Sequence, residues 1–388
     1  MLRPRILLPR ILLIDQFGEV GGAQRCLLEA AMGFRDRGWD VSALVPSGGP
    51  LGGALTACSV RVEPIPCGPF HSGEKSAADA LRFARQLPLQ AIAIARAARR
   101  NRADVLYING PRMLAAAALG RMGRPLIYHA HWMPPQESAS SLARRMLRWS
   151  QASVIVSSKL AARWLCGCVD SDRVFLIYNG VAIKSEARAP RDRIERIGML
   201  GRISPEKGQL EFARAARMVS ERIRGLRFIV SGAPMFSGQA YFREVRAQAN
   251  GAVQFRGWTE DVAAFLAEID LLVVPSVNDN VPRVIMEAFA AGVPVLAFDV
   301  GAIPELVEHS KTGLLIGERT AEALAQAILV AAARPDELQD MAARAAARWR
   351  ERYTLPRFQS EICGAVETVL RRRRQRNPLE RAGASAAA

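Results

Sequence analysis

Short apolar segments alternate with segments of helical spacing along the whole chain, and this alternation predicts the fold. In the first half, six apolar segments of strand length are separated by helical segments. Such strands are typical of a parallel sheet that helices cover on both faces. The predicted strands are ILLID (11–15), VSALVP (41–46), DVLYING (104–110), PLIYHAH (125–131), ASVIVSS (152–158) and RVFLIYNGV (173–181).

The same alternation starts again after a polar, charged segment, so the 388 residues predict two α/β domains. The second series of strands is IGMLGRI (197–203), LRFIVSG (226–232), AVQFRGW (252–258), DLLVVPS (270–276) and PVLAFD (294–299). The predicted organisation is an N-terminal domain in 1–184, a linker in 185–196, a C-terminal domain in 197–350, a helix in 351–372 that packs back on the N-terminal domain, and a basic, disordered tail in 373–388.

The positive charge is concentrated in the first half of the chain. The formal net charge is +16, and residues 1–190 hold 25 Lys and Arg against 13 Asp and Glu. Residues 191–388 hold 28 against 24. A basic half favours a polyanionic partner such as an anionic membrane, a nucleic acid or a phosphorylated substrate. An Arg-rich composition without function explains the excess equally well.

Cysteine usage and hydropathy limit the class of protein. The six cysteines are scattered and there are only four histidines, so we expect reduced thiols and no zinc site. Pro9 and Arg10 interrupt the N-terminal apolar stretch, which makes it too short for a signal peptide. No stretch reaches the roughly 18 uncharged apolar residues of a spanning helix. We expect a cytoplasmic protein, with any membrane contact peripheral and on the inner face of the cytoplasmic membrane.

Two cations follow the first strand of the second domain. Ligands of parallel α/β sheets bind outside the carboxyl ends of the strands. GRISPEKG (201–208) lies at such an end, precedes a helix and contains Arg202 and Lys207. A helix N-terminus with two cations suits an anion, and a diphosphate is the natural ligand. A solvated turn is the alternative for this loop taken alone.

The strand ends of the first domain offer glycine and histidine. Gly21 and Gly22 let the backbone approach a ligand or take a positive φ, although an ordinary turn also explains such a pair. The spacing Gly-x-Gly-x-x-Gly is missing, which argues against a nicotinamide enzyme. His129 and His131 end one strand and face the same side. We favour His131 as the functional member, and a core histidine bonded to backbone is the alternative.

Two carboxylates flank the start of a helix in NDNVPRVIMEAFAAG (278–292). Glu287 lies among apolar residues, and a buried carboxylate needs donors such as sugar hydroxyls. Asp279 could equally be an acid that favours the helix dipole. The backbone N–H groups at 280–283 are predicted to bind an anion.

These segments together resemble glycosyltransferase family 4. The likeness covers nearly the whole chain and is strongest from about residue 174 to residue 316. The segments that carry it are GGAQ (21–24), IYNGV (177–181), GRISPEKG (201–208), 253–276 and 281–307. The resemblance implies retaining enzymes of the GT-B fold, in which two Rossmann-like, doubly wound parallel-sheet domains face each other across a cleft.

The resemblance also implies a role for each candidate residue. Arg202 and Lys207 would hold the diphosphate of a UDP- or GDP-sugar, and no metal or other cofactor would be needed. Asp279, where the family usually has Glu, would contact the transferred sugar, and Glu287 would bind the ribose. The other implied donor contacts are Gly21 and Gly22 at the phosphates, His131 near the anomeric carbon, Arg256, Gly257 and Trp258 beside the base, and Asn280, Val281 and Pro282 through backbone N–H.

The acceptor is predicted from the resemblance and from the charge of the first domain. We expect a glycan or lipid-linked acceptor in bacterial cell-surface polysaccharide, lipopolysaccharide or glycolipid synthesis. SSLARRMLRWSQ (140–151) places Leu142, Met146 and Trp149 on one helical face, with Arg144, Arg145 and Arg148 elsewhere. Such a helix can rest on an anionic membrane, and a core helix with a solvated Arg face is the alternative.

Two other functions remain open at this point. A sugar-nucleotide epimerase shares the GT-B fold and would release a free sugar without using an acceptor. A nucleic-acid-binding protein would explain the positive charge. No recognised nucleic-acid-binding module occurs in the sequence, so nucleic acid is not an expected partner.

Overall fold

The computed structural model describes residues 8–68, 77–131, 137–182, 191–234 and 239–376. The chain divides into two compact units. Met1–Tyr178 and Leu355–Ala388 form the first unit, and Asn179–Thr354 form the second. The first unit is therefore built from two separate parts of the sequence, whereas the second is continuous.

A parallel sheet with helices on both faces makes up the described part of the first unit. Its strands are β1 (Arg10–Ile14), β2 (Asp40–Val45), β3 (Arg61–Pro64), β4 (Val105–Ile108), β5 (Leu126–Ala130), β6 (Ser153–Val156) and β7 (Val174–Leu176). Its helices are α1 (Gly22–Asp36), α2 (Leu51–Ala57), α3 (Ala77–Arg100), α4 (Leu114–Gly120), α5 (Glu137–Ser150), α6 (Lys159–Trp164) and, at the end of the chain, α14 (Leu355–Arg376). The strand order is β3-β2-β1-β4-β5-β6-β7, so the winding reverses between β1 and β4.

The strand β1 shows why both faces of this sheet are covered. Ile11 and Leu13 point into a core shared with α1, α2 and α14. Leu12 and Ile14 point into the opposite core, shared with α3, α4, α5 and α6. Successive side chains of a strand alternate between faces, so an unbroken apolar strand requires two cores.

The helix α14 completes the first of these cores. Phe358 and Ile362 are fully buried in it. Gln359 Nε2 donates to the Glu29 carbonyl of α1 at 3.0 Å. A Cβ on Gly33 of α1 would meet the Gln359 side chain at 2.8 Å, so a glycine there lets the two helices approach closely.

The second unit repeats the architecture with a parallel sheet of six strands in its described residues. The strands are β8 (Arg196–Leu200), β9 (Arg227–Ser231), β10 (Val253–Phe255), β11 (Leu271–Val274), β12 (Val295–Phe298) and β13 (Leu314–Ile316). The helices are α7 (Gln209–Ser220), α8 (Gln239–Ala249), α9 (Val262–Glu268), α10 (Arg283–Ala290), α11 (Ile303–Leu306), α12 (Ala321–Ala332) and α13 (Pro335–Arg352). The strand order is β10-β9-β8-β11-β12-β13, which reverses between β8 and β11.

Several boundaries differ from those predicted. The first unit's opening part ends at Tyr178 and not at 184, and the second unit extends to Thr354 and not to 350. The predicted linker 185–196 lies partly outside the described residues, but Ile194 is buried and Arg196 begins β8. The basic tail is helical to Arg376, and Arg373 donates to the Asp104 carbonyl at 3.1 Å. Residues 377–388 of the predicted tail lie outside the described residues.

Candidate active site

Lys207 and Asp279 meet where the winding of the second sheet reverses. Lys207 follows β8, and Asp279 follows the neighbouring strand β11. The Lys207 Nζ lies 2.5 Å from the Asp279 Oδ2, and Ser276 Oγ donates to the same oxygen at 3.2 Å. The two side chains are mostly buried, with 26% and 12% exposed. Two predicted site residues, 72 positions apart, are thus brought into contact at the place where such sheets bind ligands.

Arg202 lies at the start of the loop that carries Lys207. Its guanidinium Nη2 pairs with the Glu206 carboxylate at 2.8 Å. The side chain of the buried Gln209 stabilises the loop through two hydrogen bonds. Its Nε2 donates to the Arg202 carbonyl at 2.8 Å, and its Oε1 accepts from the Ser204 N–H at 3.2 Å. The Glu206 carbonyl accepts the Val277 N–H at 3.0 Å, which ties the loop to the segment after β11.

Two glycines permit the close approach of these loops. Gly208 has a φ of 75°, and a Cβ there would lie 1.8 Å from the Pro275 carbonyl oxygen. Gly301 has a φ of 54°, and a Cβ there would lie 1.8 Å from the Asp279 carbonyl oxygen. Any side chain at either position would push away the backbone next to Lys207 or Asp279. The sequence reasoning missed Gly301, for which the only signal was a glycine two residues after an apolar strand.

Glu287 has a partner on its own helix. It is 8% exposed on α10, and its Oε1 lies 3.7 Å from the Arg283 Nε. Arg283 also donates through Nη1 to the Gly180 carbonyl at 3.3 Å. A buried carboxylate was expected here to need donors. The structure provides one from the protein itself, Arg283, which lies one helical turn away. The spacing of four residues was a signal for this pair that the sequence reasoning did not use.

The segment between the two carboxylates differs from its prediction in one residue. Asn280 is partly exposed, and Val281 is buried. Pro282 has no backbone N–H, so it cannot donate to a sugar or phosphate as predicted. It is the residue before α10, and its carbonyl accepts the Ile285 N–H at 3.2 Å. Of residues 280–282, Asn280 and Val281 therefore have the backbone N–H that the predicted anion contact needs.

Arg256, Gly257 and Trp258 follow β10. The Arg256 guanidinium forms a two-pronged pair with Glu268, whose pKa is lowered mainly by that hydrogen bond. The Gly257 carbonyl accepts from the Gly232 N–H at 2.7 Å and from Ser231 Oγ at 3.0 Å. Trp258 has 42% of its surface exposed. Trp258 thus offers a ring for stacking, whereas the Arg256 side chain is held by a carboxylate of α9.

A buried carboxylate lies at the corresponding reversal point of the first sheet. Asp15 follows β1 and is fully buried. It accepts from the Phe17 N–H at 2.9 Å, from Asn109 Nδ2 at 2.5 Å and from Gln24 Nε2 at 3.1 and 3.2 Å. Burial raises the pKa of Asp15, and these hydrogen bonds oppose that increase. The sequence reasoning gave Asp15 no role, although an acid that ends a buried strand was a visible signal.

The predicted His131 joins this network through Asn109. Its Nε2 lies 2.7 Å from the Asn109 Oδ1. The ring of His129 lies 3.9 Å from that of His131, and its Nδ1 is 2.7 Å from the Tyr107 hydroxyl. Complete burial lowers the pKa of His129 well below its ordinary value, and the nearby His131 adds to this. His129 is therefore the neutral core histidine of the pair, and His131 is the more exposed one.

Gly21 and Gly22 open the helix α1. The Gly21 N–H donates to Gln24 Oε1 at 3.2 Å, and Gln24 also bonds to Asp15. Gly21 has a φ of −109° in extended backbone, so it does not take the positive φ that the sequence reasoning allowed for. The glycine loop and His131 are both connected to Asp15.

Comparisons with known proteins identify the family. Residues 20–185 match the family model Glycosyltransferase Family 4, and residues 194–334 match the model Glycosyl transferases group 1. A phosphatidyl-myo-inositol mannosyltransferase of Mycobacterium leprae is 30% identical over 283 residues, which cover 69% of this chain and 74% of the relative. The chain belongs to glycosyltransferase family 4. A second enzyme of that name, from Mycolicibacterium smegmatis, is 26% identical over 368 residues, covering 91% of this chain and 92% of the relative.

The structural comparison agrees with this family 4 membership. The structure of Anabaena HepE in complex with UDP-glucose has a TM-score of 0.78 and 25% identity, and the match covers 92% of this chain and 99% of that one. The two parallel-sheet units together with this likeness identify the GT-B fold. Among the described residues, no helix combines the length and apolar character needed to cross a membrane. In the same part of the chain, no group of three or more His, Cys, Asp or Glu side chains is arranged to hold a metal ion.

Proposed function

We propose that this glycosyltransferase moves a sugar, with retention of anomeric configuration, from a UDP- or GDP-sugar to a hydroxyl of a glycan or lipid-linked acceptor. The observation that carries the proposal is the contact of Lys207 with Asp279 at the reversal of the second sheet. An ammonium suited to a phosphate, next to a carboxylate suited to sugar hydroxyls, supports a nucleotide-sugar as the ligand.

Lys207 can serve both groups at once. An ammonium has three N–H donors, so one can stay on Asp279 while the others bind a phosphate oxygen. Arg202, in the same loop, would add a second positive charge. Charge developing on the departing diphosphate would then be stabilised by the protein's own cations, without a metal. The leaving phosphate would assist the acceptor hydroxyl on the face from which it departs, which gives retention.

For the first unit, we propose the donor contacts that the family resemblance implies. The Gly21–Gly22 backbone would approach the donor phosphates, and His131 would lie near the anomeric carbon. The ribose would be bound by Glu287, whose pairing distance of 3.7 Å to Arg283 is longer than a hydrogen bond. Its carboxylate oxygens therefore keep capacity to accept from hydroxyls.

The relatives bear on the donor and the acceptor. HepE was solved with UDP-glucose, and the two mycobacterial relatives are named as phosphatidyl-myo-inositol mannosyltransferases. We therefore favour a hexose donor and a lipid-linked acceptor in glycolipid or cell-surface polysaccharide synthesis. Asp279 is one methylene shorter than the usual Glu, so contacts with the transferred sugar would differ from those of the family.

A donor panel tests this proposal. Calorimetric titration of the full chain with UDP-glucose, UDP-galactose, UDP-N-acetylglucosamine and GDP-mannose should give saturable binding of at least one donor. Lys207→Ala should weaken that binding about 10- to 100-fold, the usual value of a hydrogen bond to a charged group. Lys311→Ala is the matched control, because Lys311 also faces an acid of the second unit, Glu308, but is 74% exposed. Equal weakening by both variants, or no binding across the panel, would contradict the donor site.

The mechanism has separate measurements. With the donor found, proton NMR of the first product formed should show the donor's anomeric configuration. Transfer should persist in excess EDTA. An inverted product or complete loss of transfer in EDTA would overturn the retaining or the metal-independent part of the proposal, respectively, and would leave the donor site intact.

We also propose that the first unit binds an anionic membrane surface, peripherally and on the cytoplasmic side. On α5, Leu147 and Ser150 are buried, while Trp149 is 52% exposed beside Arg145 and Arg148. The sequence predicted Met146 and Trp149 on one helical face; Met146 is partly buried against the core of the first unit, whereas Trp149 is exposed. The neighbouring helices α3 and α4 expose Leu89, Ile92 and Leu119. Exposed apolar groups among arginines suit a lipid headgroup region.

A further inference from the structure

A single buried carboxylate connects the two predicted donor contacts of the first unit. Asp15 accepts hydrogen bonds from Asn109 on one side and from Gln24 on the other. Asn109 contacts His131, and Gln24 contacts Gly21. Asp15 itself is fully buried after β1. Its side chain is linked to His131 and to Gly21 through these two neutral amides.

The contacts of Asn109 fix the orientation of its amide. Its Nδ2 lies 2.5 Å from the Asp15 Oδ2 and 3.2 Å from the Ala23 carbonyl, both of which only accept. A flipped amide would place its oxygen against two acceptors, so the observed orientation is dictated by chemistry. The Asn109 Oδ1 consequently faces the His131 Nε2 at 2.7 Å as an acceptor.

An acceptor facing Nε2 selects one form of the imidazole. The His131 Nε2 must carry a hydrogen, and in the neutral ring Nδ1 is then the nitrogen with the lone pair. On the other side of Asp15, Gln24 Nε2 is held by the carboxylate, which leaves its Oε1 for the Gly21 N–H. The acceptor oxygens of Asp15 orient the Gln24 amide, and they orient the Asn109 amide together with the Ala23 carbonyl.

We propose that Asp15 is a positioning residue, which sets the Nε2–H tautomer of His131 through Asn109 and the entry of α1 at Gly21 through Gln24. The inference deepens the proposed function, and it rests on that function only in assigning His131 and the glycine loop to the donor. The tautomer and the hydrogen bonds belong to the protein without any substrate.

Exchanging the two residues of the Asp15–Asn109 contact tests the proposal. In Asp15→Asn, the oxygen of the new amide stays on the Phe17 N–H, and its NH₂ faces residue 109. This NH₂ favours an Asn109 that turns its oxygen toward residue 15 and its NH₂ toward His131, whereas the Ala23 carbonyl still favours the original orientation. A fraction of His131 should then carry its hydrogen on Nδ1. In the double variant Asp15→Asn/Asn109→Asp, the carboxylate at 109 accepts from both neighbours at the expense of the contact with the Ala23 carbonyl, and the Nε2–H form alone should return. Tyr107→Phe is the control, because it removes the contact to His129 and leaves that to Asn109.

The tautomer is read by nitrogen NMR of the full-length, ¹⁵N-histidine-labelled chain, which contains four histidines. The His131 signals are assigned by their loss in His131→Gln. If Asp15→Asn is folded by circular dichroism and its His131 shows the Nε2–H form alone, with no Nδ1–H signal, the proposal is overturned. If that variant does not fold, the double variant decides. Its His131 must be Nε2–H and must titrate at a higher pH than in the wild type, because a carboxylate now faces it.

Transfer kinetics separate this inference from the proposed function. Asp15→Asn should lower kcat/KM by about 10- to 100-fold, as loss of an orienting partner does elsewhere, and the double variant should recover most of it. A changed tautomer with unchanged kcat/KM would leave Asp15 as the residue that orients His131. The same result would overturn the proposed part of His131 in the reaction.

Discussion

Gly301 shows how a residue without a side chain can position a charged one. The Asp279 carbonyl lies where a Cβ of residue 301 would be, and the φ of 54° is itself unfavourable for other residues. The segment after β12 therefore fixes the backbone of the residue that pairs with Lys207. The backbone conformation of Asp279 depends on a glycine 22 positions later in the sequence. The sequence of the loop around Asp279 does not show this dependence.

Gly301→Ala should displace Asp279 and weaken donor binding. Gly292→Ala is the matched control, since Gly292 has a φ of 65° but nothing lies within 4 Å of its Cβ position. The control should lose about 1–2 kcal/mol of unfolding free energy, the cost of a left-handed alanine, and keep donor affinity. Gly301→Ala should lose more stability and at least tenfold in affinity by calorimetry. Equal behaviour of the two variants would show that the contact with Asp279 does not matter.

Residue types at the candidate site were predictable, but their partners were not. Arg202, Lys207 and Asp279 are recognisable because they follow apolar strands, and strand ends are where ligands bind. That Lys207 contacts Asp279 depends on β8 and β11 being neighbours, which is a property of the winding of the sheet. Asp15 was overlooked because its importance comes from Asn109, 94 positions away.

The helix α14 is an element of the first unit that follows the whole of the second in the sequence. Its apolar face supplies Phe358, Ile362 and Val366 to the core against α1 and the sheet. Phe358 is fully buried, and its ring lies 6.4 Å from that of His129. Phe358 of α14 therefore packs near β5, the strand that leads to His131.

Phe358→Ala should destabilise the first unit by about 3–5 kcal/mol, because it removes a large buried ring and leaves a cavity. Leu176→Ala is the control, since Leu176 is 39% exposed on β7 of the same unit, and it should change stability by less than about 0.5 kcal/mol. Urea denaturation followed by circular dichroism measures both. A cost below about 1 kcal/mol for Phe358→Ala would mean that α14 is not part of a tightly packed core.

The apolar pattern was a good guide to the central strands, and among the described residues it predicted two of the four edge strands, β7 and β10. The segments predicted for β4 and β5 contain the observed strands, and the segment predicted for β1 overlaps the observed strand from residue 11; all three strands are buried on both faces. The edge strands β3 and β13 were not predicted. β3 reads Arg-Val-Glu-Pro, with two exposed residues and two of intermediate burial, and β13 has three residues of intermediate burial. These two edge strands pair with a neighbour on one side and are partly exposed, so the apolar pattern of their own residues is weak.

Across the whole molecule, charge and exposed apolar surface coincide in the first half of the sequence. Residues 1–190 carry a net charge of +12. The same half contains the face of α5 with Arg145, Arg148 and Trp149. Each arginine near an anionic bilayer contributes about 1 kcal/mol to membrane binding. Replacing two arginines of this face therefore tests whether it binds the membrane.

Arg145→Ala/Arg148→Ala should weaken sedimentation with phosphatidylserine-containing vesicles about 25-fold at low salt, which corresponds to about 2 kcal/mol. Arg222→Ala/Arg224→Ala is the control, because it removes the same charge from exposed positions of the second unit. The control should bind nearly as the wild type does, and added salt should abolish the binding of all three. Absence of binding by the wild type at low salt would contradict the membrane proposal.

The insertion of one unit within the other has a consequence for synthesis. The ribosome synthesises Asn179–Thr354 as one continuous segment, so all residues of the second unit are present before α14 is made. The first unit, although its opening part precedes the second unit, lacks Phe358, Ile362 and Val366 until α14 is made. The unit whose synthesis starts first is therefore completed after the other, and one apolar face of its sheet stays without α14 until then.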